Sequence, residues 1–288
     1  LLRCVMRKYF SLVVFSHTIF ALPFATLGFI LAYKEQATAF NLLLFIKMLL
    51  CMVFARTAAM AFNRYADADI DALNSRTANR EIPSGAIKKR NALLLVVITS
   101  MGFILTTWFI NPLCFYLSPI ALMVVNGYSY TKRFTPMAHL VLGCGLGLAP
   151  IGAYLTITES FALVPVLLSF VVLFWVSGFD IIYALQDEAF DRENHLYSIP
   201  VWLGGKNALK LSRVFHVISA ALLICSGILG DFSVLYFAGI ALFIALLIYQ
   251  HTIVNVNDLS RVNRAFFTTN GVASVLFSIL AISDLLFL

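Results

Sequence analysis

Nine apolar runs, each close to the length of a bilayer-spanning helix, leave this chain few folds to choose from. They lie at about 10–33, 41–62, 91–110, 113–130, 137–156, 162–184, 207–229, 232–250 and 265–288. A span takes roughly 20 apolar residues, because the hydrocarbon core is about 30 Å thick and a helix rises about 1.5 Å per residue. Helices satisfy their own backbone hydrogen bonds, which lipid cannot do for them. Composition agrees: the 288 residues are 61% hydrophobic and only 12% charged, too little charge to cover a soluble domain of this size. The expected fold is all-α, a polytopic membrane protein of nine helices, forming a single domain over residues 1–288.

The joints support this reading. Asn111-Pro112 and Gly230-Asp231 are tight turns between antiparallel helices. The basic stretch LLRCVMRKYF precedes an apolar run too long for a cleaved signal, so that run is taken as the first span. With nine spans, one side receives seventeen Lys and Arg residues, from Arg3 to Arg264, and the other side only Lys34. That asymmetry places the charged loops in the cytoplasm; the expected location is the cell's inner membrane. It also accounts for the net charge of +6 without any nucleic-acid partner. The five cysteines are scattered, with no C-x-x-C spacing, and read as small buried hydrophobes.

Against this apolar background, NRYADADID (63–71) stands out. Asn63, Asp67 and Asp71 recur every four residues, so on a helix they form one stripe, with Asp69 on the opposite face. GFDIIYALQDEAFDRENHLYSIP (178–200) repeats the step at Asp187 and Asp191, with Asp180 and Tyr183 earlier on the same face. Each ladder ends an apolar span on the cytoplasmic side, and each is followed by an Ile-Pro expected to close its segment. Four aspartates converging on a central cavity open to the cytoplasm repel one another unless cations intervene. An oxygen-only set without His or Cys selects Mg²⁺ or Ca²⁺, and Mg²⁺ commonly joins one or two carboxylates to substrate phosphates. Arg76, Arg80, Lys132 and Arg133 lie around the same mouth and suit a diphosphate. A cation-coupled transporter is the rival from another class, since intramembrane carboxylates also mark ion paths. Transporter sites sit at the midplane, however, and these acids sit at helix ends.

NRYADADID resembles the N-x-x-x-D-x-x-x-D motif of the UbiA superfamily of membrane prenyltransferases. DIIYALQDEAFD is similar to its D-x-x-Y-A-x-x-D-x-x-x-D motif, and YSYTKRFT (128–135) to its Y-x-x-x-K segment. The nearest branch is that of the 4-hydroxybenzoate polyprenyltransferases of quinone biosynthesis. The resemblance implies that Asp67 and Asp71 hold one Mg²⁺ and Asp187 and Asp191 a second, both bridging to a polyprenyl diphosphate. It implies further that Asn63 supports the first metal group, that Arg76 and Lys132 contact the diphosphate, and that Tyr128 sits beside the ionising carbon. Asp180 would steady the cation or the aromatic acid. Many members carry an arginine early in the first span, for the acid's carboxylate; here FSHTIFALPFA (15–25) offers only His17. HTIFALPFA also resembles a menaquinone branch, reached through futalosine, whose acceptor is 1,4-dihydroxy-6-naphthoate.

Overall fold

The structure, a computed structural model, describes residues 11–12 and 15–288, with the backbone alone for residues 15–17. Among the described residues there is no strand, only an isolated bridge between Asn255 and Asp258. The helices are α1 (Leu22–Gln36), α2 (Leu42–Ala66), α3 (Ala68–Leu73), α4 (Lys89–Trp108), α5 (Pro112–Thr131) and α6 (Ala138–Thr158). They continue as α7 (Leu163–Ala184), α8 (Glu188–Glu193), α9 (Ile199–Leu203), α10 (Gly205–Leu229), α11 (Val234–Ile253) and α12 (Asn270–Phe287). Nine helical segments among the described residues are long and apolar enough to cross a membrane, matching the nine runs in order.

The chain forms two compact units. The first joins the described residues of Leu1–Thr18 to Leu42–Tyr130. In it α2 packs along α4, and Leu12, Ala61, Ile87 and Val96 form a buried cluster. Ser11 Oγ donates to Glu81, and Lys47 Nζ donates to the Phe109 carbonyl at 2.5 Å, placing a cation at the C-terminus of α4. Two threonines of α4 are satisfied within their own helix: the Thr99 and Thr106 hydroxyls donate to the carbonyls of Leu95 and Gly102, both at 2.7 Å. Asn111 accepts from the Cys114 amide at 2.8 Å and so starts α5 at the expected turn.

The second unit comprises Ile19–Asn41 and Thr131–Leu288. Its centre is Trp175 on α7, fully buried among Phe20, Phe24, Phe179 and Phe243. The indole Nε1 donates to Asn270 Oδ1 at 3.0 Å. Asn270 Nδ2 in turn donates to the carbonyls of Ala265 and Phe266, both at 2.9 Å. Those carbonyls belong to a π-helical turn, Arg264–Thr269, which leads into α12. The side chain amide therefore satisfies backbone groups that the wider turn releases. Hydroxyls tie α10 to α7: Ser212 donates to Gly178 O at 2.7 Å and Ser219 to Val171 O at 3.0 Å. The Gly230-Asp231 turn is followed by α11, whose first amides (Ser233, Leu235 and Tyr236) all donate to the Asp284 carboxylate.

Small residues let α6 approach α7. A Cβ on Gly147 would stand 2.7 Å from the Ser169 carbonyl, whereas one on Gly152 of the same helix would meet nothing within 4 Å. Gly147→Ala is therefore expected to lose about 1–3 kcal/mol by overpacking. Gly152→Ala should instead gain about 0.5–1 kcal/mol from reduced backbone freedom. Thermal unfolding in detergent checks the contrast, and equal effects at the two positions would contradict the packing.

Candidate active site

The first ladder begins on α2 and continues past its end. The α-helix stops at Ala66, and Asp67 takes a turn conformation before α3 resumes at Ala68. The four-residue step survives this break. Asp67 N donates to Asn63 O at 2.9 Å, and Asp71 N donates to Asp67 O at 2.7 Å. Asn63 Nδ2 also donates to Asp67 Oδ2 at 2.8 Å, so the asparagine orients the aspartate one step on. The side chain of Asp71 is only 8% exposed, while that of Asp69 is 85% exposed and pairs with Lys89 at 2.9 Å. The two faces differ as the periodicity requires.

One nitrogen of Arg80, Nη1, donates to both oxygens of Asp71, at 2.7 and 2.8 Å. The loop after α3 folds back to deliver it. Asn74 Oδ1 accepts from the Arg76 amide at 3.0 Å, the Thr77 hydroxyl donates to Asp71 O at 3.0 Å, and the Arg80 amide donates to Thr77 O at 2.9 Å. Arg76 is exposed on that loop, and Tyr128 is half-buried near the end of α5.

The second ladder departs from a single helical stripe. After α7 ends at Ala184, a 3₁₀ turn covers Leu185–Asp187 and α8 follows. Three residues at 3₁₀ pitch add about 60° of rotation relative to an α-helix, which keeps Asp187 within about 40° of Asp180 but turns it about 100° from Tyr183. Asp187 and Asp191 are both buried. Oδ2 of Asp191 is shut from solvent, is hydrogen-bonded to nothing among the described residues, and faces Lys132 Nζ at 3.5 Å. The backbone of Lys132 holds the same stretch, accepting from the Tyr197 amide at 2.7 Å. Arg133, next to it, is exposed. Tyr183 lies against Phe266, ring centroids 4.3 Å apart. Ile199-Pro200 does not close the segment: it opens α9, with the Ser198 hydroxyl accepting from the Val201 amide as its cap. Proline suits a first helical turn, where its missing N–H is not needed.

Two residues absent from the sequence reading belong here. Asp180 Oδ2 lies 2.6 Å from Nδ1 of His139, a buried histidine in the first turn of α6. Nothing in KRFTPMAH announced that pairing, which spans 41 residues. Arg56 sits within the apolar span of α2, seven residues before Asn63 and on the same face, with its Nε shielded from solvent. A charge inside an apolar run was the signal that could have found it. The side chain of His17 lies outside the described residues.

These features define an all-α membrane protein with two aspartate ladders, each ending in a buried carboxylate beside a basic side chain. The sequence pattern of the UbiA prenyltransferase family matches residues 21–272, and the chain belongs to that family. It is a multi-pass membrane prenyltransferase. It is 31% identical over 237 residues to a 4-hydroxybenzoate octaprenyltransferase of Aromatoleum aromaticum, covering 82% of this chain and 80% of the relative. A protein of the same name from Cronobacter sakazakii is 32% identical over 235 residues, covering 81% and 80%. Among solved structures, the apo form of a UbiA homolog from Aeropyrum pernix K1 matches with a TM-score of 0.83 and 34% identity, over 94% of this chain and 98% of that one. A UbiA homolog from Archaeoglobus fulgidus, bound to DMAPP and Mg²⁺, shares the fold at a TM-score of 0.75 and 21% identity, over 98% of this chain and 100% of that one.

The ladders generate a graded expectation. Asp67→Asn, Asp71→Asn, Asp187→Asn and Asp191→Asn should each slow prenyl transfer at least about a hundredfold, or about 2.7 kcal/mol. Asp69→Asn, on the solvated face, should stay within about threefold, as for a surface ion pair. Single-turnover rates on the five variants check this, and a loss at Asp69 equal to that at Asp71 would contradict the ladder.

Proposed function

We propose that this protein transfers a polyprenyl group from a polyprenyl diphosphate to 4-hydroxybenzoate, in quinone biosynthesis of the ubiquinone type. The observation that carries the reading is that each ladder ends in a buried aspartate facing a basic residue of the chain, Asp71 with Arg80 and Asp191 with Lys132. The relatives named as 4-hydroxybenzoate octaprenyltransferases support the choice of acceptor. The family match runs through both compact units, which supports treating the chain as one catalytic domain.

The donor chemistry fits Mg²⁺. The ladders present oxygen alone, and the buried Oδ2 of Asp191, without a hydrogen bond and met only by Lys132 at 3.5 Å, is a donor that a divalent cation could use. Asp67 and Asp71 are assigned to one ion, with Asn63 orienting the first of them, and Asp187 and Asp191 to another. When bound, Mg²⁺ supplies positive charge that stabilises the departing diphosphate.

The chain's own residues do the remainder. Arg80 and Lys132 rest on ladder carboxylates and exchange them for diphosphate oxygens when substrate arrives; Arg76 and Arg133 add donors from the adjoining loops. Tyr128 stands beside the allylic carbon. The bond from that carbon to the diphosphate oxygen breaks, with its electron pair leaving on the diphosphate. A ring carbon beside the phenolic hydroxyl then forms the new carbon–carbon bond, and its proton passes to the departed diphosphate. Asp180 steadies the positive charge in between. Arg56 supplies the fixed cation for the acid's carboxylate, together with His17. The apolar spans exclude water, which would quench the cation to an alcohol. The basic loops support an orientation in the inner membrane with the ladders on the cytoplasmic side.

A competition assay tests the reading. Purified protein is given one polyprenyl diphosphate, Mg²⁺, and equal 4-hydroxybenzoate and 1,4-dihydroxy-6-naphthoate, with products identified by mass. Prenylated 4-hydroxybenzoate is expected, and it should vanish with excess EDTA. Exclusive prenylation of the naphthoate would replace the acceptor, and full turnover in EDTA would overturn the metal assignment.

A further inference from the structure

His139 is 1% exposed, and the reaction above gives it no task. Its ring touches both ends of the segment that carries the second ladder. Nδ1 lies 2.6 Å from Asp180 Oδ2, and Nε2 lies 3.4 Å from the backbone nitrogen of Ile199. A backbone N–H can only donate, so Nε2 carries the lone pair, the ring hydrogen sits on Nδ1, and Nδ1 donates to Asp180. The His139 carbonyl accepts from the fully buried Ser177 hydroxyl at 3.1 Å, which fixes this turn of α6 against α7.

Between Asp180 and Ile199 the backbone has little stiffness of its own. It runs through the last turn of α7, a three-residue 3₁₀ turn, the six-residue α8, and an irregular stretch before α9. Helical pieces this short hold their shape only through tertiary contacts. Asp187 and Asp191 both lie on this stretch. Leu185 and Ile199 anchor it in an apolar cluster with Leu209, Val254 and Val262, and polar contacts come from the region just before and within the first turn of α6: Lys132 binds the Tyr197 amide and faces Asp191, and His139 holds the two ends.

We propose that His139 is a positioning residue for the second ladder. Its ring clasps Asp180 to Ile199, occupies one acceptor site of the Asp180 carboxylate, and sets Asp187 and Asp191 at the spacing a divalent cation needs. The inference rests on the reading of that ladder as a metal and diphosphate site.

The test measures cation binding without turnover. Thermal unfolding of the full chain in detergent is followed against Mg²⁺ at fixed inorganic pyrophosphate. The wild type is expected to be stabilised by Mg²⁺; no stabilisation would sink the ladder reading itself, and the role of His139 with it. Given that stabilisation, His139→Leu should raise the half-saturating Mg²⁺ at least about tenfold, as for loss of a residue that orients a metal ligand. His139→Gln, whose amide can both donate and accept, should recover most of the difference. The double variant His139→Leu/Asp180→Asn should be no worse than the weaker single variant. Gly147→Ala is the control, lowering the melting temperature without moving the Mg²⁺ requirement. If His139→Leu behaves like that control, or if its effect adds in full to that of Asp180→Asn, the histidine is only part of the core and the proposal falls. Should the leucine variant fail to fold, His139→Asn, too short to reach both partners, takes its place with the same criteria.

Discussion

A carboxylate at the end of an apolar helix must be matched by positive charge or returned to water, and much of this structure follows from that requirement. Asp69 takes the second course: it is exposed, and its pair with Lys89 is of the kind worth about 0–1 kcal/mol. Asp71, two residues away, is buried and takes the first, with both oxygens held by Arg80. Removing one partner from such a buried pair costs about 3–5 kcal/mol, because the remaining charge is stranded. Asp191 is as buried, and its cation stands at 3.5 Å, well beyond the 2.7–2.9 Å typical of a charge-assisted hydrogen bond. It is the less well matched of the two, and the more open to an added cation.

Backbone breaks put these carboxylates where they are. In each ladder the spanning helix stops short of the acids, at Ala66 and at Ala184, and short pieces continue past it. The local geometry is then set by contacts from beyond these pieces: the loop of Asn74 and Thr77 for Arg80, the first turn of α6 for Asp180, and Lys132 in the connection before α6 for Asp191. A prenyltransferase must hold a diphosphate firmly and release it after each turnover. With the ladders in the role proposed for them, carboxylates carried on short, clasped pieces at the ends of rigid spans would suit both demands.

The spans were legible because bilayer thickness fixes their length, and every apolar run found its helix; the first began later than its run, with a 3₁₀ helix at Phe15–Phe20 before the α-helix at Leu22. The first ladder was legible as well, since the four-residue step depends only on local backbone bonds that persist through Asp67. The 3₁₀ turn at Leu185–Asp187 and the π-helical turn at Arg264–Thr269 were not, because a local change of helical pitch leaves no mark on a run that is apolar on every face; at the second, Asn270 a few residues on takes up the carbonyls of Ala265 and Phe266. Ile199-Pro200 misled for a related reason: proline closes some segments and opens others, and here Ser198 caps a helix that it opens. His139 carried no local signal at all, for a histidine in an apolar run acquires meaning only from what the fold sets beside it.

The account stands or falls on where a divalent cation binds. Mn²⁺ can replace Mg²⁺ and scatters X-rays anomalously, so crystals grown with Mn²⁺ and pyrophosphate locate the ions directly. The account predicts one anomalous peak within coordination distance, about 2–2.3 Å, of Asp67 or Asp71 oxygens and another at Asp187 or Asp191. Peaks elsewhere, with Asp71 still bound to Arg80 and Asp191 still facing Lys132, would contradict it.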